Sequence, residues 1–130
     1  MSKPKVAFFD FACCEGCQLQ VANIGEALLD VLGLIDVVEF REVMSEKSDT
    51  YDVAIVEGSI TDNHAIERIK KIRKTAKVLI AYGACATIGG VNGMKNNFKL
   101  DDIKDYVYKE DAKHFDSVPT MAVDQVVKVV

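Results

Sequence analysis

A chain of 130 residues, 49% hydrophobic and 28% charged, has the composition of one folded domain with a real core, which excludes a disordered or low-complexity polymer. Its net charge of -4, with no dense basic run beyond one helix face, argues against nucleic acid as a partner. No apolar run reaches the roughly 18 residues of a membrane-spanning helix, and Met1 to Lys5 show no signal-peptide pattern, so a cytoplasmic chain with reduced cysteines is expected.

The first element is Lys5 to Phe11, a nearly continuous apolar run of the kind a parallel strand shows when it is covered on both faces. A cysteine-bearing loop follows. From Gln18 to Leu32 the residues Val21, Ile24, Leu28, Val31 and Leu32 recur at three- and four-residue steps, which predicts one helix with Gly33 as its left-handed cap. Ile35 to Val43 is a second strand, and its charges (Asp36, Glu39, Arg41, Glu42) place it at an edge. The polar run from Ser45 to Thr50 is a loop.

Tyr51 to Glu57 is a third strand, closed by Gly58 and Ser59. Asp62 or Asn63 then caps a helix with Ile66, Ile69 and Ile72 inward and a solvated basic face of Arg68, Lys70, Lys71, Arg73 and Lys74. Lys77 to Tyr82 is a fourth strand, expected at the sheet centre. The Asn- and Gly-rich stretch from Val91 to Leu100 is expected to be irregular, Asp101 to Asp111 helical, and Val126 to Val130 the opening of a fifth strand. Strands alternating with helices predict a single flavodoxin-like domain over residues 1–130, a three-layer α/β/α arrangement with a mostly parallel sheet of four to five strands.

Three of the four cysteines fall in Cys13-Cys14-Glu-Gly-Cys17, after the first strand; the fourth, Cys85, follows the fourth strand. If those strands share one parallel sheet, the cysteines meet at its carboxyl edge, the usual place for a site in such a fold. Cys14 and Cys17 form a C-x-x-C, a spacing compatible with zinc, thiol–disulfide exchange or an iron–sulfur cluster. Cys85, flanked by Gly83, Ala84 and Ala86, shifts the balance toward iron–sulfur, because three soft thiolates suit such a centre. Buried structural cysteines are the plain alternative. His64 and His114 are expected to be ordinary surface residues.

The order of a strand, C-C-E-G-C-Q, V-E-G-S-I at Val56 to Ile60, and Y-G-A-C-A at Tyr82 to Ala86 resembles the small subunit of nickel–iron hydrogenases of the cytosolic type. More broadly, it is similar to the family that includes the 20 kDa subunit of respiratory complex I. The resemblance implies a proximal [4Fe-4S] cluster with Cys14, Cys17 and Cys85 as three ligands. It also implies a large-subunit partner carrying the nickel–iron site, and further iron–sulfur or flavin subunits. Cys17 points to the hydrogenase branch, since the complex I subunit relies on adjacent cysteines, leaving Cys13 a packing or supporting role. Glu15 and Glu57 are candidates for pairing or proton relay, and the backbone at Gly16, Gly83 and Ala84 for donating to cluster sulfur. The family's fourth ligand lies in a Gly-Cys-Pro motif that is not found in these residues, so the segment carrying it is expected to be missing.

Other readings are a complex I-like subunit or a free-standing flavodoxin-like module binding flavin or a nucleotide. The cysteine-filled first loop argues against the flavin module, whose phosphate loops are rich in Ser, Thr and Gly. A response-regulator-like domain has only Asp10 in its favour.

Overall fold

The computed structural model describes residues 2–130. Four parallel strands, β1 (Lys5–Asp10), β2 (Asp36–Phe40), β3 (Val53–Glu57) and β4 (Val78–Ala81), form one sheet in the order β2-β1-β3-β4. Residues along β1 alternate between the faces, as the two-residue period of a strand requires. Ala7 and Phe9 join Ala54, Val56 and Leu79 on one face, while Val6 and Phe8 join Phe40 on the other.

The first face is covered by α3 (Asn63–Thr75), which buries Ala65, Ile69 and Ile72, and by Ala86 and Val123 from later segments. Asp62 caps this helix, accepting from the Ala65 N–H at 2.7 Å. The second face carries α1 (Gly16–Ala22) and α2 (Ala27–Leu34), giving the three layers expected. The remaining helices are α4 (Ala84–Ile88) and α5 (Leu100–Tyr108).

Several expectations need correction. The helix foreseen from Gln18 to Leu32 is two, broken where Gly25 takes a φ of +71°. Gly33 lies inside α2 rather than capping it. The second helix docks loosely: Leu28 is half-buried, Leu29 is 71% exposed, and Ile24, Val31 and Leu32 are also exposed. Strand β4 is not at the centre of this four-strand sheet; β1 and β3 are, and β4 is outermost. The run of apolar residues that suggested a central position reflects one buried side chain, Leu79, with Ile80 exposed on the opposite face.

Val126 to Val130 forms no strand, although the Val130 N–H donates to Leu79 O at 3.1 Å on the outer side of β4. The Asn- and Gly-rich stretch is organised into 3-10 turns over Gly90–Asn97. Two members of the basic face turn inward: Arg68 donates to Asp10 O at 2.6 Å, and Arg73 to Ala76 O at 2.6 Å.

Candidate metal centre

Residues 11–15 leave the end of β1 beside the end of β3. The Phe11 N–H donates to Glu57 O at 2.9 Å, and Ala12 and Ser59 exchange backbone hydrogen bonds at 3.1 and 2.9 Å. Asn92 locks this crossing. Its amide donates to Ala12 O at 2.7 Å and to Ser59 Oγ at 2.9 Å. Arg68 supports the same loop from below, its guanidinium 4.7 Å from the Phe11 ring centroid.

Gly83 brings the second cysteine run against the first. A Cβ on Gly83, whose φ is +86°, would overlap the Cys17 sulfur, so the backbone two residues before Cys85 lies directly on that thiol. A Cβ on Gly90 would come within 2.8 Å of Cys85 Sγ, and one on Gly16 within 3.3 Å of Cys14 Sγ. All four cysteines are free thiols, with Cys14 exposed and Cys13, Cys17 and Cys85 half-buried.

Beneath the thiols sits Glu57, 2% exposed at the end of β3. Its Oε2 accepts the N–H of Cys17 at 3.1 Å and of Gln18 at 3.3 Å. Its Oε1 has no hydrogen-bond partner, nor has either polar atom of the Gln18 side chain, itself 2% exposed. Burial, then the Glu57 and Asp10 charges, pushes the Cys13 thiol up to about 12. Cys17 is raised by burial first and Glu57 second. Both thiols are therefore protonated at neutral pH in the metal-free chain, and a bound cation would have to displace those protons.

Of the sequence-predicted residues, Gly83 stands against the Cys17 sulfur, Gly16 against that of Cys14, and Glu57 under the Cys17 N–H. Ala84 is exposed at the start of α4. Glu15 points to Arg41. Among the described residues, no three His, Cys, Asp or Glu side chains are arranged to hold a single metal ion. Sequence reasoning missed Asn92, Gln18 and Arg41. Only Gln18, directly after Cys17, lay in a stretch already under scrutiny.

Residues 14–130 match the family described as the 20 kDa subunit of NADH ubiquinone oxidoreductase. The chain belongs to that family. Among curated proteins similar to it, a subunit of the vhu F420-non-reducing hydrogenase of Methanocaldococcus jannaschii is 33% identical over 110 residues, 83% of this chain and 38% of that protein. The delta subunit of sulfhydrogenase 2 from Pyrococcus furiosus is 35% identical over 96 residues, 73% of this chain and 40% of that protein. The chain therefore spans well under half the length of these relatives. A crystal structure of an NAD+-reducing [NiFe]-hydrogenase in the H2-reduced state superposes with a TM-score of 0.82, covering 98% of this chain and 79% of that one at 22% identity. That likeness establishes the α/β fold. Among the described residues no helix is long and apolar enough to cross a membrane.

Proposed function

We propose that this chain is the iron–sulfur electron-transfer subunit of a nickel–iron hydrogenase, holding a [4Fe-4S] cluster on Cys14, Cys17 and Cys85. Family membership and the hydrogenase names of the relatives support the class, and Cys17 supports the hydrogenase branch over the complex I one. The single observation that carries the site is the seat of Gly83 on the Cys17 sulfur, which joins the two cysteine runs.

The residues fit such a group. The donors are soft thiols, and their neighbours Gly16, Gly83, Ala84 and Gly90 lack bulk. Three thiolates leave one further ligand to be supplied. When bound, the cluster is a one-electron carrier between the large subunit's metals and downstream partners.

The chain's own work is positioning. Glu57 fixes the turn between Cys17 and Gln18 through two N–H groups, so the second thiol of the pair faces a set direction. Asn92 pins the loop to Ser59 and thereby to β3. Glu57 Oε1, buried at the end of β3, has no hydrogen-bond partner within the chain, which leaves it free to accept from a group at the site. Backbone N–H groups at Gly16, Gly83 and Ala84 are the donors available to cluster sulfur. The chain carries out no bond chemistry on a substrate.

The test is anaerobic purification of the chain with its large subunit, followed by iron and sulfide analysis and absorption spectroscopy. Broad thiolate-to-iron absorption is expected, lost in Cys14→Ser, Cys17→Ser and Cys85→Ser and retained in Cys13→Ser. A structured flavin spectrum, or iron content indifferent to Cys85, would overturn the reading.

A further inference from the structure

Glu15 lies between the two cysteines of the C-x-x-C in a conformation that its side chain disfavours. Its φ of 63° and ψ of 7° place it in the left-handed region, where a Cβ crowds the backbone and glycine or asparagine is the usual occupant. Only one other non-glycine among the described residues, Lys109, has a positive φ. The conformation matters locally: Glu15 O accepts the Leu19 N–H at 3.1 Å, so the first turn of α1, which carries Cys17, starts from it. Relaxing Glu15 to an ordinary conformation would turn Cys14 relative to Cys17.

The group restraining it comes from another strand. Arg41 forms an ion pair with Glu15, and the same guanidinium nitrogen lies 3.2 Å from Asp10 Oδ2, at the end of β1. Arg41 has a firm base, because it follows Phe40, which is 3% exposed and stacked on Phe8 of β1 with ring centroids 4.2 Å apart. One cation at the edge of the sheet thus ties the start of the cysteine loop to its middle.

We propose that Arg41 is a positioning residue for the cluster-binding loop: by bridging Asp10 and Glu15 it holds Glu15 left-handed and so fixes the relative aim of Cys14 and Cys17. The inference rests on the cluster-binding reading for its purpose but not for its structural content. An exposed ion pair is individually weak. Shared between two carboxylates and acting on one strained residue, it needs only to tilt a local equilibrium.

The test compares the full chain with Arg41→Met, Glu15→Gln and Glu15→Gly. In the metal-free state, thiol labelling of Cys14 and Cys17 is followed residue by residue by mass spectrometry. Arg41→Met and Glu15→Gln should each speed labelling of the half-buried Cys17 by about two- to fivefold relative to the exposed Cys14, the shift a weak ion pair can impose on a local opening. After anaerobic reconstitution the same two variants should retain less iron than wild type. Glu15→Gly, which also loses the ion pair but adopts a left-handed φ unaided, should retain more iron than Glu15→Gln.

Unchanged labelling in Arg41→Met, or Glu15→Gly no better than Glu15→Gln, would overturn the proposal. The first would mean that Arg41 does not hold the loop, and the second that it acts through charge alone. Failure of wild type to take up iron would overturn the cluster reading instead, while the labelling comparison would still decide the role of Arg41.

Discussion

Gly83 occupies the most demanding position in the site, since its φ of +86° suits no side chain and its missing Cβ makes room for the Cys17 sulfur. Gly83→Ala meets both penalties at once. It should cost about 1–3 kcal/mol in denaturant unfolding, the range for a residue forced into a sparsely populated conformation, and should lower iron content by displacing Cys17. An alanine variant as stable and as well loaded as wild type would show that the two cysteine runs do not meet at this glycine. At this scale the cysteines, Glu57 and the small residues around them were legible in the sequence, because metal-ligating residue types at motif spacing advertise their chemistry. Asn92 and Arg41 were not. Each acts across the sheet edge on a backbone carbonyl or a distant carboxylate, and such contacts leave no periodic or motif signal.

Among the elements, the strand and helix order could be read directly, since β1 is a nearly continuous apolar run and α3 carries a strong 3.6-residue period. The break in the first helix could not, because Val21 to Leu32 keeps a helical rhythm through a glycine whose left-handed turn the pattern does not encode. Sheet position also escaped: β4 is as apolar as β3 but pairs with it on one side only. The amino ends of the strands are tied by Asp52. Its carboxylate accepts from Lys77 Nζ at 2.7 Å and from the Lys5 N–H at 2.9 Å, while its backbone bonds Lys5, Lys77 and Val78.

The hydrogen bond from Lys77 lowers Asp52 below its ordinary value of 3.8, and the reciprocal bond raises Lys77 above 10.5. A lowered carboxyl stabilises the fold fully above its unfolded value and loses that effect as pH falls through the folded one. A raised ammonium does so fully below its unfolded value and loses it as pH rises through the folded one. Asp52→Asn should therefore melt below wild type across the neutral range, with the gap closing in strong acid and in strong alkali. Melting curves recorded across pH would check this, and a constant gap at every pH would rule out the ion pair as its source.

The whole molecule shows a two-sided sheet whose covering is uneven. Around and beyond α4, the residues Ile88, Val91, Met94 and Phe98 are all more than 60% exposed. Met94 and Phe98 line, with Ile103 and Tyr106, an apolar groove of about 500 Å3. Exposed apolar residues in such number within one short stretch are the mark of an interaction surface, and this stretch begins three residues after Cys85.

Whether the two cysteine runs hold one inorganic centre is tested most directly by anomalous diffraction at the iron absorption edge, from crystals of the anaerobically purified assembly. An iron peak enclosed by the Cys14, Cys17 and Cys85 sulfurs is expected, separate from any iron held by partner subunits. No iron at that position, or a peak there that leaves Cys85 out of its ligands, would contradict a shared centre.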